Sequence, residues 1–245
     1  MAIKSIQYRQ KSFQIAYEVL NPEQKRLIIF LHGWGSNKEL MKGAFGAYLD
    51  TYKHIYIDLP GFGGSTCSAP LVTEDYANIL ELFLAQINAN HDPIIVGHSF
   101  GGKVATRLAP PLLVLLGSSG ILVPKPLKIK LKIALTKLGN KLGFGAIGAL
   151  FRADDAKALS ETMYKTFKNV VNEEFSDSFR TFRHKALLCW GKDDTATPLY
   201  TAEEINALIA DSRLAVFEGD HYFFMQHAEG VAKEIEQSIL EMHQH

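Results

Sequence analysis

Apolar and polar positions alternate over two short stretches at the start of the chain, residues 3 to 9 and 13 to 19, with a polar break at Gln10-Lys11-Ser12 between them. A period of two predicts strands, and so short a break joins them as an antiparallel hairpin at a sheet edge. The pattern then changes. The segments Arg26–Leu31, His54–Leu59, Pro93–Val96, Leu112–Leu116, Ala186–Trp190 and Leu214–Phe217 are rich in apolar residues and do not alternate, as expected of strands covered on both faces. Between them run stretches of helical period. Tyr76, Ile79, Leu80, Phe83, Leu84 and Ile87 mark one over residues 73 to 89, and similar patterns cover 200 to 210 and 228 to 242. Thr73, with Glu74 and Asp75 behind it, is the expected cap of the first. Strands that alternate with helices predict an α/β fold: a mostly parallel central sheet flanked by helices, with ligands bound beyond the carboxyl ends of the strands. Residues 121 to 183 interrupt this rhythm. They offer no convincing strand, so the chain divides into a core of residues 1–120 and 184–245 and a helical cap or lid of residues 121–183.

Composition narrows the class. The chain has 245 residues, 47% hydrophobic and 21% charged, with 26 basic against 26 acidic side chains. That length and hydrophobic fraction suit one globular α/β domain with an insertion. The balanced charge provides no global field toward nucleic acid. No apolar run is long enough for a transmembrane segment, and the N-terminal residues alternate rather than forming a signal sequence. A cytoplasmic location is the expectation. Cys67 and Cys189 lack metal-ligand spacing and form no disulfide framework; Cys189, inside an apolar run, reads as a buried small hydrophobe. His54, His91, His184, His227, His243 and His245 have no partners at metal-binding spacing, so no metal is expected.

The candidate chemistry centres on Gly97-His98-Ser99-Phe100-Gly101-Gly102, which follows a β-branched run and leads into helix-forming residues. G-x-S-x-G between strand and helix predicts a sharp turn with the serine at its apex. Glycine on either side lets two backbone segments approach where a Cβ would clash. Such a serine sits at a helix N-terminus, where free N–H groups and the helix dipole meet developing negative charge. A serine hydroxyl is a weak nucleophile at neutral pH and needs a base, for which imidazole is suited. His221, after the last strand, is placed for that role. A carboxylate must then fix the imidazole tautomer, and Asp193 and Asp194 both precede His221. This serine chemistry requires no organic cofactor.

Together these segments resemble the α/β-hydrolase family over nearly the whole chain. Gly97–Gly101 is similar to the nucleophile elbow, and His32-Gly33-Trp34-Gly35 to the His-Gly turn after the third strand. Pro60-Gly61-Phe62-Gly63-Gly64-Ser65 is similar to a common loop of the family. Trp190–Pro198 resembles the acid-bearing segment, and Gly219-Asp220-His221 the histidine-bearing one. The resemblance implies a serine hydrolase of the carboxylesterase type, with Ser99 as nucleophile, His221 as base and Asp194 as orienting acid. Register with G-x-x-D-x-x-x-P from Gly191 to Pro198 selects Asp194 and leaves Asp193 as a turn residue. The oxyanion hole implied is the pair of backbone N–H groups of Trp34 and Phe100, although Trp34 also reads as a packing aromatic. His32 is expected to organise its loop. His98 is expected to orient the strand end, touch substrate or be satisfied in the core. A serine at the elbow disfavours the dehalogenases and epoxide hydrolases of the family, whose nucleophile is a carboxylate. The alternatives are a carbon–carbon bond hydrolase of vinylogous diketones, against which His98 and Tyr222 stand, a thioester or other ester hydrolase, and a non-catalytic ligand-binding protein on the same fold.

Within the insertion, Leu127, Leu131, Leu135, Leu138 and Leu142 share one face of a helix at about 100° per residue, with lysines at the flanks and Ile129 and Ile133 opposite. The simple reading is a cap helix with solvated lysines. The sharper one is a docking surface for an acidic acyl carrier protein. Leu150, Phe151, Met163, Tyr164, Phe167 and Phe175 supply either core packing or an apolar acyl pocket, with Arg152 as its carboxylate-binding group. The expected partner is a small-molecule ester or acyl substrate.

Overall fold

A computed structural model of the chain describes residues 1–123 and 154–242, with side chains in the second stretch from residue 161 onward. Strands β1 (Ala2–Tyr8) and β2 (Lys11–Leu20) form the antiparallel hairpin, in which Ile6 faces Phe13. The turn falls on Arg9 and Gln10, both at positive φ. A two-residue turn of that hand matches the strand twist, so Lys11 and Ser12 belong to the strand rather than to the break. The remaining strands are β3 (Leu27–Leu31), β4 (Lys53–Ile57), β5 (Ile94–His98), β6 (Leu112–Leu116), β7 (Lys185–Gly191) and β8 (Ser212–Phe217). They make one eight-stranded sheet in the order β1-β2-β4-β3-β5-β6-β7-β8. β2 pairs antiparallel to β4, and every pairing from β4 to β8 is parallel.

The two faces bury separate cores, and the pleat assigns residues to them. Ile29 and Leu31 of β3 face a core shared with α2 (Thr73–Gln86), α3 (Phe100–Leu108) and α6 (Leu199–Leu208); Ile28 and Phe30 face the opposite core, with α1 (Lys38–Phe45) and α7 (Ala228–Met242). This double covering is why the central strands read as unbroken apolar runs. Cys189 on β7 is fully buried in the second core. α1 carries only a short amphipathic pattern and is not anticipated from periodicity; Asn37 caps it by accepting from the Glu39 N–H at 3.0 Å.

The start of α2 departs from the expectation. Thr73 does not cap it; the N-cap is Val72, whose N–H donates to Asp75 Oδ2 at 3.0 Å. The Thr73 hydroxyl instead donates to Glu173, a residue a hundred positions away. α3 ends at Leu108 with Ala109 in the left-handed region, ahead of Pro110-Pro111. In the insertion, α4 (Asp154–Val171) and α5 (Ser176–Thr181) are helical. The lysine-rich segment 127–142, and Leu150, Phe151 and Arg152, lie outside the described residues, as do His243 and His245. No described helix is long and apolar enough to cross a membrane.

Candidate active site

The site lies beyond the carboxyl ends of β5, β7 and β8. Ser99 follows β5 directly and is the N-cap of α3, with φ 51° and ψ −114°. A non-glycine residue rarely adopts that conformation, and three backbone hydrogen bonds hold it: Ser99 N–H to Leu116 O at 3.1 Å, Gly102 N–H to Ser99 O at 3.1 Å and Ser119 N–H to Ser99 O at 3.1 Å. The flanking glycines are sterically required. A Cβ at Gly97 would lie 2.5 Å from the Gly101 carbonyl oxygen, and one at Gly101 would lie 2.5 Å from that of Leu31.

Asp194, in the loop after β7, is buried and fully hydrogen-bonded. Its Oδ1 accepts from the N–H groups of Ala196 and Thr197 at 2.8 and 2.9 Å. Its Oδ2 lies 2.8 Å from the Thr197 hydroxyl and 2.8 Å from His221 Nδ1. A carboxylate with these neighbours requires the proton on Nδ1 and leaves Nε2 as the ring's acceptor. That Nε2 is buried and has no hydrogen-bond partner, so Ser99 and His221 are not hydrogen-bonded to each other, although Asp194 and His221 are. Serine–imidazole bonds are often long before substrate binds. Gly117, the residue after β6, packs between the two sides: a Cβ there would lie 3.1 Å from Asp194 Oδ2 and 3.2 Å from His221 Nδ1. Asp193 is exposed, and its N–H bonds Gly219 O at 2.9 Å in the turn.

The His-Gly turn abuts the serine. A Cβ on Gly33 would lie 3.0 Å from Ser99 Cβ and 2.9 Å from His98 Nδ1. Trp34, the next residue, packs its ring against Phe62, Phe100 and Phe167 at centroid distances of 4.9, 5.6 and 5.2 Å. Phe100 opens α3, so its N–H is among the helix's unpaired donors. His32 is fully buried: Nδ1–H donates to Gly33 O at 2.8 Å and Nε2 accepts from the Leu59 N–H at 3.0 Å. Burial lowers its pKa to about 4, so it is a neutral loop brace at physiological pH.

His98 is also buried and held neutral, by desolvation first and by the neighbouring His221 second. Its Nε2–H donates to the His221 carbonyl. Thr197 is the residue that motif reading missed; its signal is the spacing Asp194-Thr195-Ala196-Thr197, in which an aspartate accepts from N–H groups two and three residues on. A cavity opens from Ser99 between the core and α4, lined by Trp34, Ile121, Phe167, Val170 and Val171 among others. Among the described residues no group of three or more His, Cys, Asp or Glu side chains is arranged to hold a metal ion.

Comparison with known proteins places this geometry in context. A 2-succinyl-6-hydroxy-2,4-cyclohexadiene-1-carboxylate synthase of Klebsiella pneumoniae is 32% identical over 84 residues, 34% of this chain and 32% of that one. A pimeloyl-[acyl-carrier protein] methyl ester esterase of Pectobacterium carotovorum is 34% identical over 82 residues, 34% of this chain and 30% of that one. The aligned stretch spans about a third of each of these curated relatives. An esterase from Thermogutta terrifontis superposes with a TM-score of 0.76 at 16% identity, over 99% of this chain and 100% of that one, which is a likeness of fold. The model of the alpha/beta hydrolase family matches residues 28–234, a span that includes the serine turn, the acid-bearing loop and the histidine, and the chain therefore belongs to the alpha/beta hydrolase family.

Proposed function

We propose that the chain is a serine hydrolase that cleaves carboxylic esters through an acyl-enzyme. The Ser99 hydroxyl attacks the ester carbonyl while His221 Nε2 takes its proton; Asp194 keeps the imidazole in the Nδ1–H tautomer and stabilises the imidazolium. The backbone N–H groups of Trp34 and Phe100 receive the oxyanion. His221 then protonates the leaving alcohol; water attacks the acyl-enzyme carbonyl while the same imidazole accepts its proton, and His221 returns that proton to Ser99 Oγ as the acyl–oxygen bond breaks and the acid leaves. Residues 121–183 form the cap over this site, a division supported by Phe167, Val170 and Val171 of α4, which wall the cavity over Ser99.

The observation that carries the reading is the Asp194–His221 hydrogen bond, which leaves Nε2 as a buried acceptor with no partner of its own. A binding protein on this scaffold has no need of such a group, whereas a base does. The test is labelling by a fluorophosphonate together with hydrolysis of p-nitrophenyl esters of graded chain length. Wild type is expected to label stoichiometrically at Ser99 and to turn over, and Ser99→Ala to do neither. Esterase activity that persists in Ser99→Ala, or a folded wild type that does not label, sinks the proposal.

Carrier-linked acyl esters are a second substrate form to test, because the Pectobacterium relative is named for one and residues 127–142 are rich in lysine. Activity on carrier-linked esters is expected to weaken with ionic strength more than activity on free esters.

A further inference from the structure

The cavity beside Ser99 is mostly apolar, yet two charged side chains reach it, Lys103 and Glu173. Among the described residues that line it, no other carries a formal charge. Lys103 stands in the first turn of α3, four residues after Ser99. It is 2% exposed. Its Nζ donates to the Val170 carbonyl at 2.7 Å, pairs with Glu173 Oε2 at 3.1 Å and lies 5.0 Å from the ring centre of Phe175. Burial pulls its pKa below the ordinary lysine value, and the Glu173 carboxylate opposes that. Glu173 is held in its turn by the Thr73 hydroxyl and by Arg107, whose Nη2 is 4.0 Å from Oε1.

An ammonium buried at the wall of an acyl pocket, without a counter-charge, is a receptor for an anionic group on the substrate. Here the counter-charge is already supplied from inside the chain. We infer that the Lys103–Glu173 pair selects uncharged acyl chains: Glu173 occupies the place at Nζ that a substrate carboxylate would need, so esters of simple alkyl or aryl acids enter and half-esters of dicarboxylic acids are refused. Among the described residues, a second carboxylate would either lie beside Glu173, against like-charge repulsion, or sit against apolar lining without a partner, and both are costly. The selection is by exclusion as much as by fit. This rests on the serine hydrolase reading and names the substrate class of that same site.

The test compares two p-nitrophenyl esters of matched length, with the acyl chain ending in a methyl group in one and in a carboxylate in the other. Wild type is expected to prefer the methyl-ended ester by about a hundredfold in kcat/KM. Glu173→Gln keeps the shape and leaves Lys103 uncompensated; the preference is expected to narrow by about tenfold to a hundredfold. Adding Lys103→Met to Glu173→Gln is expected to restore it. Fluorophosphonate labelling of Ser99 accompanies each measurement. If Ser99 labels but the wild type favours the carboxylate-ended ester, or Glu173→Gln labels with its preference unchanged, the inference falls and the hydrolase reading stands. If folded wild type does not label, both fall. The wild-type comparison needs no variant, and a preference there for the carboxylate-ended ester overturns the inference even where Glu173→Gln does not fold; in that case Glu173→Ala, with the same expected narrowing, takes its place and an unchanged preference overturns the inference.

Discussion

The His98 Nε2–H donates to the backbone carbonyl of His221 at 3.1 Å, so the residue before the candidate nucleophile anchors the loop that carries the candidate base. The imidazole rings lie 4.7 Å apart, and His98 also contacts Tyr222 and Phe224. Its other nitrogen, Nδ1, has no hydrogen-bond partner and faces the position a Gly33 side chain would occupy. One ring thus spaces the His221 loop from the His-Gly turn. His98→Phe keeps an aromatic ring there and removes the donor, leaving a buried carbonyl unpaired. Esterase kcat/KM is expected to fall by about tenfold to a hundredfold, the equivalent of one lost buried hydrogen bond, with fluorophosphonate labelling slowed in parallel. Unchanged labelling in a folded variant would show that the contact does not position His221.

Asp193 and Asp194 are adjacent in sequence and opposite in environment. Asp194 accepts four hydrogen-bond contacts, one of them from His221, while Asp193 is exposed. Asp194→Asn puts a donor where the imidazole requires an acceptor, and under the proposed mechanism kcat is expected to drop by about a thousandfold to ten-thousandfold. Asp193→Asn, a surface change, is expected to stay within about twofold. Steady-state rates of the two variants on one ester check this, and a larger effect at Asp193 would reverse the proposed assignment.

Two glycines predict opposite changes in stability. A Cβ at Gly101 would meet the Leu31 and His32 carbonyl oxygens at 2.5 and 2.6 Å. Backbone atoms of a central strand end cannot give way cheaply, so Gly101→Ala is expected to destabilise by about 1–3 kcal/mol and to displace Ser99. Gly43, within α1, has nothing within 4 Å of its would-be Cβ. There alanine lowers unfolded-chain entropy and favours helix, and a gain of about 0.4–1 kcal/mol is expected. Urea unfolding of both variants reads the two signs.

Much of this was legible in sequence because it rests on local pattern. β3, β5 and β6 are buried on both faces and announce themselves as apolar runs, and the turn at Ser99 follows from the steric need for Gly97 and Gly101. What was not legible depends on distant partners. Thr73 looks like a cap from its neighbours, but Glu173, far along the chain, takes its hydroxyl. Nothing local to Lys103 marks it as buried; α4 and Glu173, far along the chain, cover it. Thr197 contributes through Asp194 and Gly117, whose positions depend on β6 and β7 pairing.

Buried histidines give stability a pH dependence with a definite sign. In the folded chain His32 uses both ring nitrogens, Nδ1–H toward Gly33 O and Nε2 from the Leu59 N–H, and its pKa is lowered from 6.5 to about 4. Above the unfolded value both states are neutral and the stability is fully present. As pH falls from 6.5 toward 4 the unfolded chain binds a proton that the folded chain does not, so stability is lost across that window. The loss is about 3 kcal/mol for this residue when integrated. His98, lowered by burial and by the neighbouring His221, and His54, lowered by burial, act in the same direction. Carboxylates with lowered pKa such as Glu18 add their loss around and below 4.5, so the upper part of the window belongs to the histidines. Urea unfolding at closely spaced pH values is expected to show stability falling from pH 6.5 to 5. In His98→Phe the slope should be shallower by up to about 1.4 kcal/mol per pH unit, one proton's worth. A flat profile over that range would mean that these imidazoles titrate in the folded chain much as they do in the unfolded one.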